Sequence, residues 1–412
     1  RTDTVDGFLL DRGFQIFLTS YPEAQRLLDY KQLDLQPFYP GALVRHAGDF
    51  HRVADPFRVP VDAILTLLPT HPIGSIIDKI LVGWLRVLSL IVSIDDMYLR
   101  PDISIEQKLR ETGFSDEMID RFFRPFLGGI FFDNRLRTTA RELDFVFRML
   151  ALGENCLPSA GIQAVSDYMA SLMPEGSMSL STPVKSIAKD GSSVTLANGK
   201  TMPASAVVVA TEGDAARKLL GSAGIDIGEE KEPKKTTCLY FSIDGAPPTD
   251  EPVLYLNGDG VIDAEGSCKI NNMCFPSNVA KSYAPEGKSL VSVSLIGIPP
   301  ESDAEAAIKV KEQLSEWFGP TAMEWKFLKS YRIPYCHPNQ EPPTERNQAM
   351  CIEPYIYVTG DHRETVSLNG ALRSGTRCGQ AVWDGMSKLY LAKGQAAVDA
   401  FTASKGLDSV SP

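Results

Sequence analysis

The densest run of residues suited to holding a ligand spans 355–382, YIYVTGDHRETVSLNGALRSGTRCGQAV. An apolar strand there ends at Gly360-Asp361, and in an open α/β sheet ligands sit at the carboxyl ends of strands. A short loop leads into a helix whose first turn holds Asn369, Gly370 and Ala371. A helix N-terminus presents unpaired N–H groups and the positive end of its dipole, so it favours a ligand that gains negative charge. Asp361, beside a glycine, supplies a carboxylate for ribose-like hydroxyls. Ala371, Gly375 and Gly379 recur every four residues and give one smooth face for a sheet or a planar cofactor. A capped helix held by small residues against a strand has the same signature, so this run alone leaves both readings open.

Other chemistry finds less support. Ser159 and Ser374 lack a histidine pattern and read as polar or capping residues. His46 and His51 stand five apart in an apparent loop, and His337 falls in a Pro-rich one; no metal site is expected. The seven cysteines, at 156, 238, 268, 274, 336, 351 and 378, are odd in number and form no C-x-x-C, which favours a reducing compartment. A net charge of -11 and a pI near 5.1 argue against nucleic acid as a partner, because neutralising phosphates takes clustered Lys and Arg.

The elements that must position these residues can be read from punctuation and periodicity. Short strands are expected at 8–11 and 14–18 around a Gly13 turn, with a helix at 21–33. Residues 55–155 read mostly as helix, broken at Arg124-Pro125 and at Gly128-Gly129. The most apolar stretch, 75–93, has helical spacing but carries Asp78, Lys79 and Arg86, so it reads as a buried helix or an in-plane amphipathic anchor rather than a membrane span. Strands follow at 184–188 and 194–197. The run AVVVAT, 206–211, is as apolar as a strand buried on both faces, and a helix begins near Ala215. Residues 235–335 give strands at 238–243, 252–256 and 289–295 and a helix at 304–318, then a Pro-rich loop at 333–343. A strand at 356–359 and a long helix from Leu368 complete the pattern.

Taken in order, these segments resemble the superfamily of flavin enzymes that contains monoamine oxidases, protoporphyrinogen oxidases and phytoene desaturases. The run 355–382 is similar to that family's C-terminal flavin motif. The resemblance puts Gly360 and Asp361 near the ribityl and phosphate end of FAD, and Ser367, Leu368, Asn369 and Gly370 around the ring. Arg1-Thr2, followed by Asp6-Gly7-Phe8 and Leu10-Asp11-Arg12-Gly13-Phe14-Gln15, resembles the stretch just after the family's G-G-R-x-R-T motif. That implicates Arg1, Gly13, Phe14 and Gln15. Thr182-Pro183-Val184 and AVVVAT resemble the strand pair in which Val184 meets the adenine and Ala210 and Thr211 end near the cofactor. Arg124–Ile130 and Pro158–Gly161 resemble the phytoene desaturase branch. No G-x-G-x-x-G occurs, and the family's first strand, phosphate loop and ribose-binding acid are expected to precede Arg1.

The resemblance implies an α/β fold with a discontinuous Rossmann-like FAD-binding domain at 1–50, 156–225 and 345–400. A helical subdomain at 51–155 and an α+β substrate domain at 226–344 would complete it. The implied enzyme is an FAD-dependent oxidoreductase taking a hydride equivalent from a small, hydrophobic, carotenoid- or isoprenoid-like substrate, with oxygen or a quinone as electron acceptor. In such enzymes the cofactor carries the hard chemistry, so no catalytic side chain is assigned. Peripheral membrane contact through 75–93 is expected, at a plastid, bacterial or cytoplasmic surface. The alternatives are an amine oxidase of the same fold and a flavin-fold binding or assembly protein without turnover.

Overall fold

The computed structural model describes residues 1–404 apart from 69, 230 and 261–268; Cys268 therefore lies outside the described residues. The chain divides into two compact units, Arg1–Ser177 with Lys231–Thr344, and Met178–Glu230 with Glu345–Pro412.

The larger unit is built on a seven-stranded mixed sheet. Its strands run in the order Lys326–His337, Lys234–Asp244, Lys288–Ile296, Ile270–Cys274, Leu254–Asn257, Gly41–His46 and Asp49–Ala54. Only Leu254–Asn257 and Gly41–His46 pair in parallel. The period of two along a strand sends alternate residues to opposite faces. Leu239 and Phe241, cross-strand from Val293 and Val291, pack with Tyr255 and Phe275 against Val310 and Leu314 of helix Asp303–Phe318. Cys238, Tyr240 and Leu290 face the other way, onto Phe8, Leu10 and Leu157. Both faces are buried along the central strands Lys234–Asp244, Ile270–Cys274 and Lys288–Ile296.

Several elements differ from the sequence reading, each for a physical reason. Gly41–Ala54, expected as a loop, is a hairpin whose tip, Ala47-Gly48, has positive φ at both residues (50° and 90°), as two-residue hairpin turns require. The helix expected at 21–33 is two short turns, Pro22–Leu27 and Tyr30–Leu33, because Leu28 ends the first in extended conformation and Asp29 caps the second by accepting from the Lys31 N–H at 3.0 Å. The strand expected at 14–18 is reduced to Phe17–Leu18. Arg124–Phe131 is helical where breaks were expected. Pro125 falls at the start of that helix, after a π-helical turn at Ile119–Phe123, where a missing N–H costs little. Gly128 and Gly129 are there for close approach: a Cβ would stand 2.3 Å from Asn134 Oδ1 at the first and 2.9 Å from Asn272 Oδ1 at the second. The strand Lys326–His337 runs into the Pro-rich segment because it is an edge strand, where exposed Pro334 is tolerated.

The helix expected at 75–93 is Ile76–Ile91, opened by a capping box in which Ser75 and Asp78 each satisfy the other's backbone N–H. Its inward side is narrow, with Leu85 and Ser89 buried. Asp78 is buried as well, and the outward row is exposed, including Ile77, Ile80 (65 % exposed), Trp84 (53 %) and Ile91. No helix among the described residues is long and apolar enough to cross a membrane.

In the smaller unit, Val207–Val209 pairs in parallel with Ile356–Val358, which pairs in turn with Cys351–Glu353. A second sheet holds Val184–Ile187, Ser193–Leu196 and Thr201–Pro203. Ile187, Val207, Val209, Ile356 and Val358 share one core with Ala216 and Leu220 of helix Gly213–Gly221. The long helix is Leu368–Ser404.

Candidate functional site

In the smaller unit the parallel strand pair carries its chemistry at its carboxyl end. The Thr359 N–H donates to the Val209 carbonyl at 2.9 Å, so the ends of the two strands, Ala210-Thr211 and Gly360-Asp361, stand side by side. Ala210 and Thr211 are exposed. The chain leaves the strand through the short 3-10 turn Asp361–Arg363 and enters the long helix at Leu368.

That helix start is tightly fixed. Ser367 caps it, its Oγ accepting from the Gly370 N–H at 2.9 Å. Gly370 is required by contact, since a Cβ there would stand 1.8 Å from the Thr365 carbonyl oxygen. Asn369 is buried. One turn further on, fully buried Ser374 takes the Gly360 N–H at 2.9 Å and shares a hydrogen bond with the Thr359 hydroxyl at 2.8 Å, clamping strand end to helix. The intervening loop is held by Glu364, whose buried carboxylate meets Arg346 (2.9 Å), Arg377 (2.6 Å) and Arg373. Of the two roles expected for the small-residue face, packing against a sheet or against a planar cofactor, the first is not found. Ala371, Gly375 and Gly379 are exposed, and the helix turns Ser374, Cys378 and Val382 toward Tyr357 and Met350 instead.

The polar groups at this strand end fit a ligand rich in hydroxyls and phosphates. Burial pushes the Asp361 carboxyl up to about 6, against backbone N–H groups that lower it, and the Glu212 charge adds to the rise. Both ring nitrogens of His362 and the Nε of Arg363 are buried without a partner among the described residues. Buried orphans of this kind mark places where a ligand can complete the hydrogen bonding. Val184 opens its strand in the second sheet of the same unit, exposed.

In the larger unit, Thr2–Val5 and Phe8–Asp11 form a hairpin, and the Arg1 carbonyl accepts from the Arg12 N–H at 2.8 Å. Asp11 anchors the turn that follows. Its buried carboxylate accepts from Thr2 Oγ1 (2.5 Å), Tyr283 Oη (2.8 Å) and the Ile162 N–H (3.0 Å). Gly13 has φ 93°, and a Cβ there would stand 2.8 Å from the Ile333 methyl. Phe14 packs edge-on to Phe38 with ring centroids 6.2 Å apart, and Gln15 is exposed. The sequence named these positions but not the groups that hold them. Glu364 and His362 also went unremarked, although a histidine directly after Gly-Asp was a usable signal.

The larger unit also encloses an apolar cavity of about 220 Å³. Val53, Ala63, Val82, Phe122, Phe126 and Phe147 line it, and exposed Phe57 and Leu67 are at its mouth. Its lining carboxylate, Asp55, is already paired with Arg86 at 2.7 Å and Arg58 at 3.6 Å, and Lys79 adds a further positive charge.

Comparison with known proteins places this arrangement. A family model described as flavin-containing amine oxidoreductase matches residues 1–383. No curated protein matches the chain. Among solved structures, a Pyrococcus furiosus protein superposes with a TM-score of 0.65 at 17% identity, covering 92% of this chain and 87% of its own. A putrescine oxidase redesigned in its cofactor binding gives 0.65 at 15% identity, over 94% and 90% of the two chains. Reduced UDP-galactopyranose mutase gives 0.55 at 15% identity, over 91% and 82%. At such identities the structural likeness speaks for the fold.

Proposed function

The chain belongs to the flavin-containing amine oxidoreductases and is an FAD-dependent oxidoreductase; we propose that its substrate is a hydrophobic organic molecule of carotenoid or other isoprenoid character. The observation that carries this reading is the cavity. Most of its lining side chains are hydrocarbon, and its carboxylate is already neutralised by two arginines. An ammonium group would enter it beside Lys79 and find no free anion, whereas a hydrocarbon segment loses only water. At about 220 Å³ the cavity is smaller than the usual drug-sized pocket of roughly 300–1,000 Å³, so it suits one segment of a long chain.

For the cofactor, we propose that Gly360, Asp361, Ala210 and Thr211 take the ribityl and phosphate portion and that Val184 takes the adenine. Ser367, Leu368, Asn369 and Gly370 are assigned to the ring, as are Gly13, Phe14 and Gln15, with Arg1 a further contact. FAD, when bound, supplies the acceptor for a hydride equivalent, with oxygen or a quinone receiving the electrons afterwards. The chain's own part is binding and orientation. Asp361 accepts hydroxyl hydrogen bonds, and the first turn of the Leu368 helix stabilises negative charge through its dipole. No side chain is required as a base.

A membrane surface is the proposed partner of the exposed side of Ile76–Ile91. Both this helix and Pro60–Thr66 wall the cavity, through Lys79, Val82 and Gly83 and through Ala63 and Thr66. Their outward residues are apolar too, and Phe57 and Leu67 at the mouth join that surface to the interior. A hydrocarbon dissolved in lipid would therefore meet the mouth without crossing water.

The amine oxidase reading keeps the support of the putrescine oxidase likeness, and one experiment separates the two. Purified protein carrying the two-band absorption of oxidised flavin is mixed anaerobically with a dispersed polyene hydrocarbon or with a diamine. Bleaching by the polyene alone is expected. Bleaching by the diamine alone would overturn the hydrophobic-substrate assignment, and protein that takes up no FAD would overturn the cofactor residues proposed above.

A further inference from the structure

The strand end of the smaller unit contains a group that no family motif singles out. His362 follows Asp361 in the 3-10 turn, and its ring lies over Gly360. A Cβ built on that glycine would stand 2.5 Å from both Nδ1 and Cε1, so the ring can occupy this place only because the residue before Asp361 has no side chain. Nδ1 and Nε2 are both shut off from solvent, and neither has a partner among the described residues. Leaving two such atoms dry and unpaired is costly, so a ligand that pairs them gains what the folded chain gives up. A neutral imidazole carries one donor and one acceptor nitrogen, so the ring can satisfy an incoming ligand in either sense.

The charges around the ring select the kind of ligand. Burial, with the positive charges of Arg363, the next residue, and of Arg217 on helix Gly213–Gly221, holds the imidazole down to about 4. The acids of the same corner are Asp361 itself, raised to about 6, Glu212, and Glu345, whose charge acts on Arg363. Two guanidinium groups beside an unpaired N–H suit a phosphate oxygen far better than a hydroxyl, which gains little from a nearby cation.

We propose that His362 is a cofactor-binding residue whose ring N–H donates to a phosphate oxygen of FAD at the Gly360–Asp361 strand end. The inference rests on the FAD assignment and adds to it a contact belonging to this chain. It has a proton-linked consequence. An anion beside the ring favours the imidazolium, so the pKa of His362 rises on binding, and FAD binds more tightly as pH falls through that raised value. The gain stops below about 4, where the ring is already charged in the free protein. Asp361 is raised too, so its own titration accompanies that of His362, and the ring has to be observed directly.

The chain has five histidines, which makes the imidazole signals assignable by NMR. The His362 signals, identified by their loss in His362→Gln, are followed with pH in the free protein, with FAD, and with riboflavin, which lacks phosphate. Dissociation constants for both ligands are measured alongside for wild type and His362→Phe. The expected result is a His362 pKa raised by FAD by about one unit or more and unmoved by riboflavin. His362→Phe should bind FAD about tenfold or more weakly and riboflavin as wild type does. Wild type that binds FAD while the His362 signals stay in place overturns the inference, as does an equal loss of riboflavin in His362→Phe. Wild type that binds no FAD overturns the cofactor assignment on which the inference rests.

Discussion

At the scale of single residues, Asp361 sets two requirements against each other. Its carboxyl is raised from the ordinary value to about 6 by burial at the strand end. A carboxyl raised on folding stabilises the native state in its protonated form. That contribution is complete below the ordinary Asp value of about 4 and is lost as pH rises through about 6, amounting to about 3 kcal/mol at most. Asp361→Asn removes the penalty. The variant should melt higher than wild type at about pH 7.5, match it at about pH 4, and bind FAD more weakly because an amide replaces the hydroxyl acceptor. Thermal melts of both proteins across that range check the sign, and parallel curves would refute it. The Gly-Asp pair and the start of the following helix were legible because they are local in sequence. The partners that fix them were not: Glu364 meets arginines at 346, 373 and 377, and no local pattern announces a buried carboxylate with three distant cations.

At the scale of elements, the helix Ile76–Ile91 was recognisable from its spacing, since periodicity is a short-range signal. Which of its sides would be buried was not, because that depends on the neighbours supplied by tertiary packing. Its outward row, Ile77, Ile80, Trp84 and Ile91, carries no charge. Association with lipid through this row should therefore persist on neutral phosphatidylcholine vesicles and change little with salt, unlike binding driven by basic residues. Replacing Ile80 and Trp84 together by Asp should lower vesicle partitioning about tenfold or more without altering the far-UV circular dichroism. Equal flotation of variant and wild type would remove the membrane from the proposal. The hairpin Gly41–Ala54 shows the opposite failure. His46 and His51 were expected in a loop, and the strandedness of this segment comes from lying beside Leu254–Asn257, more than 200 residues away in sequence by the numbering.

At the scale of the whole molecule, the α/β class and the order of motifs along the chain could be read directly, whereas the cavity could not. Its walls come from the hairpin, from the helices Pro60–Thr66 and Ile76–Ile91, and from Phe122, Phe126 and Phe147, and only folding brings them together. Gly83 offers a clean way to test it. The residue lines the cavity, and a Cβ placed there has nothing within 4 Å. Gly83→Leu should fill space without displacing backbone, and it improves helix propensity by up to about 1 kcal/mol. The variant should keep its flavin and its melting temperature, or raise the latter, while losing most of its affinity for a polyene substrate. A variant that retains full affinity would show that the substrate lies elsewhere.

Pro334 also bears on what the protein does when concentrated. An edge strand displays a ladder of backbone donors and acceptors that a second chain can extend, and such extension is a route to aggregation. Lys326–His337 is long enough to serve as that template, but Pro334 withholds an N–H in its last third, and the register against Lys234–Asp244 shifts nearby, between Lys234 and Thr236. The residue that disguised the strand in the sequence thus also makes the sheet a poor seed for chain-on-chain growth, a protection that matters most while the chain is newly made and its neighbours are crowded.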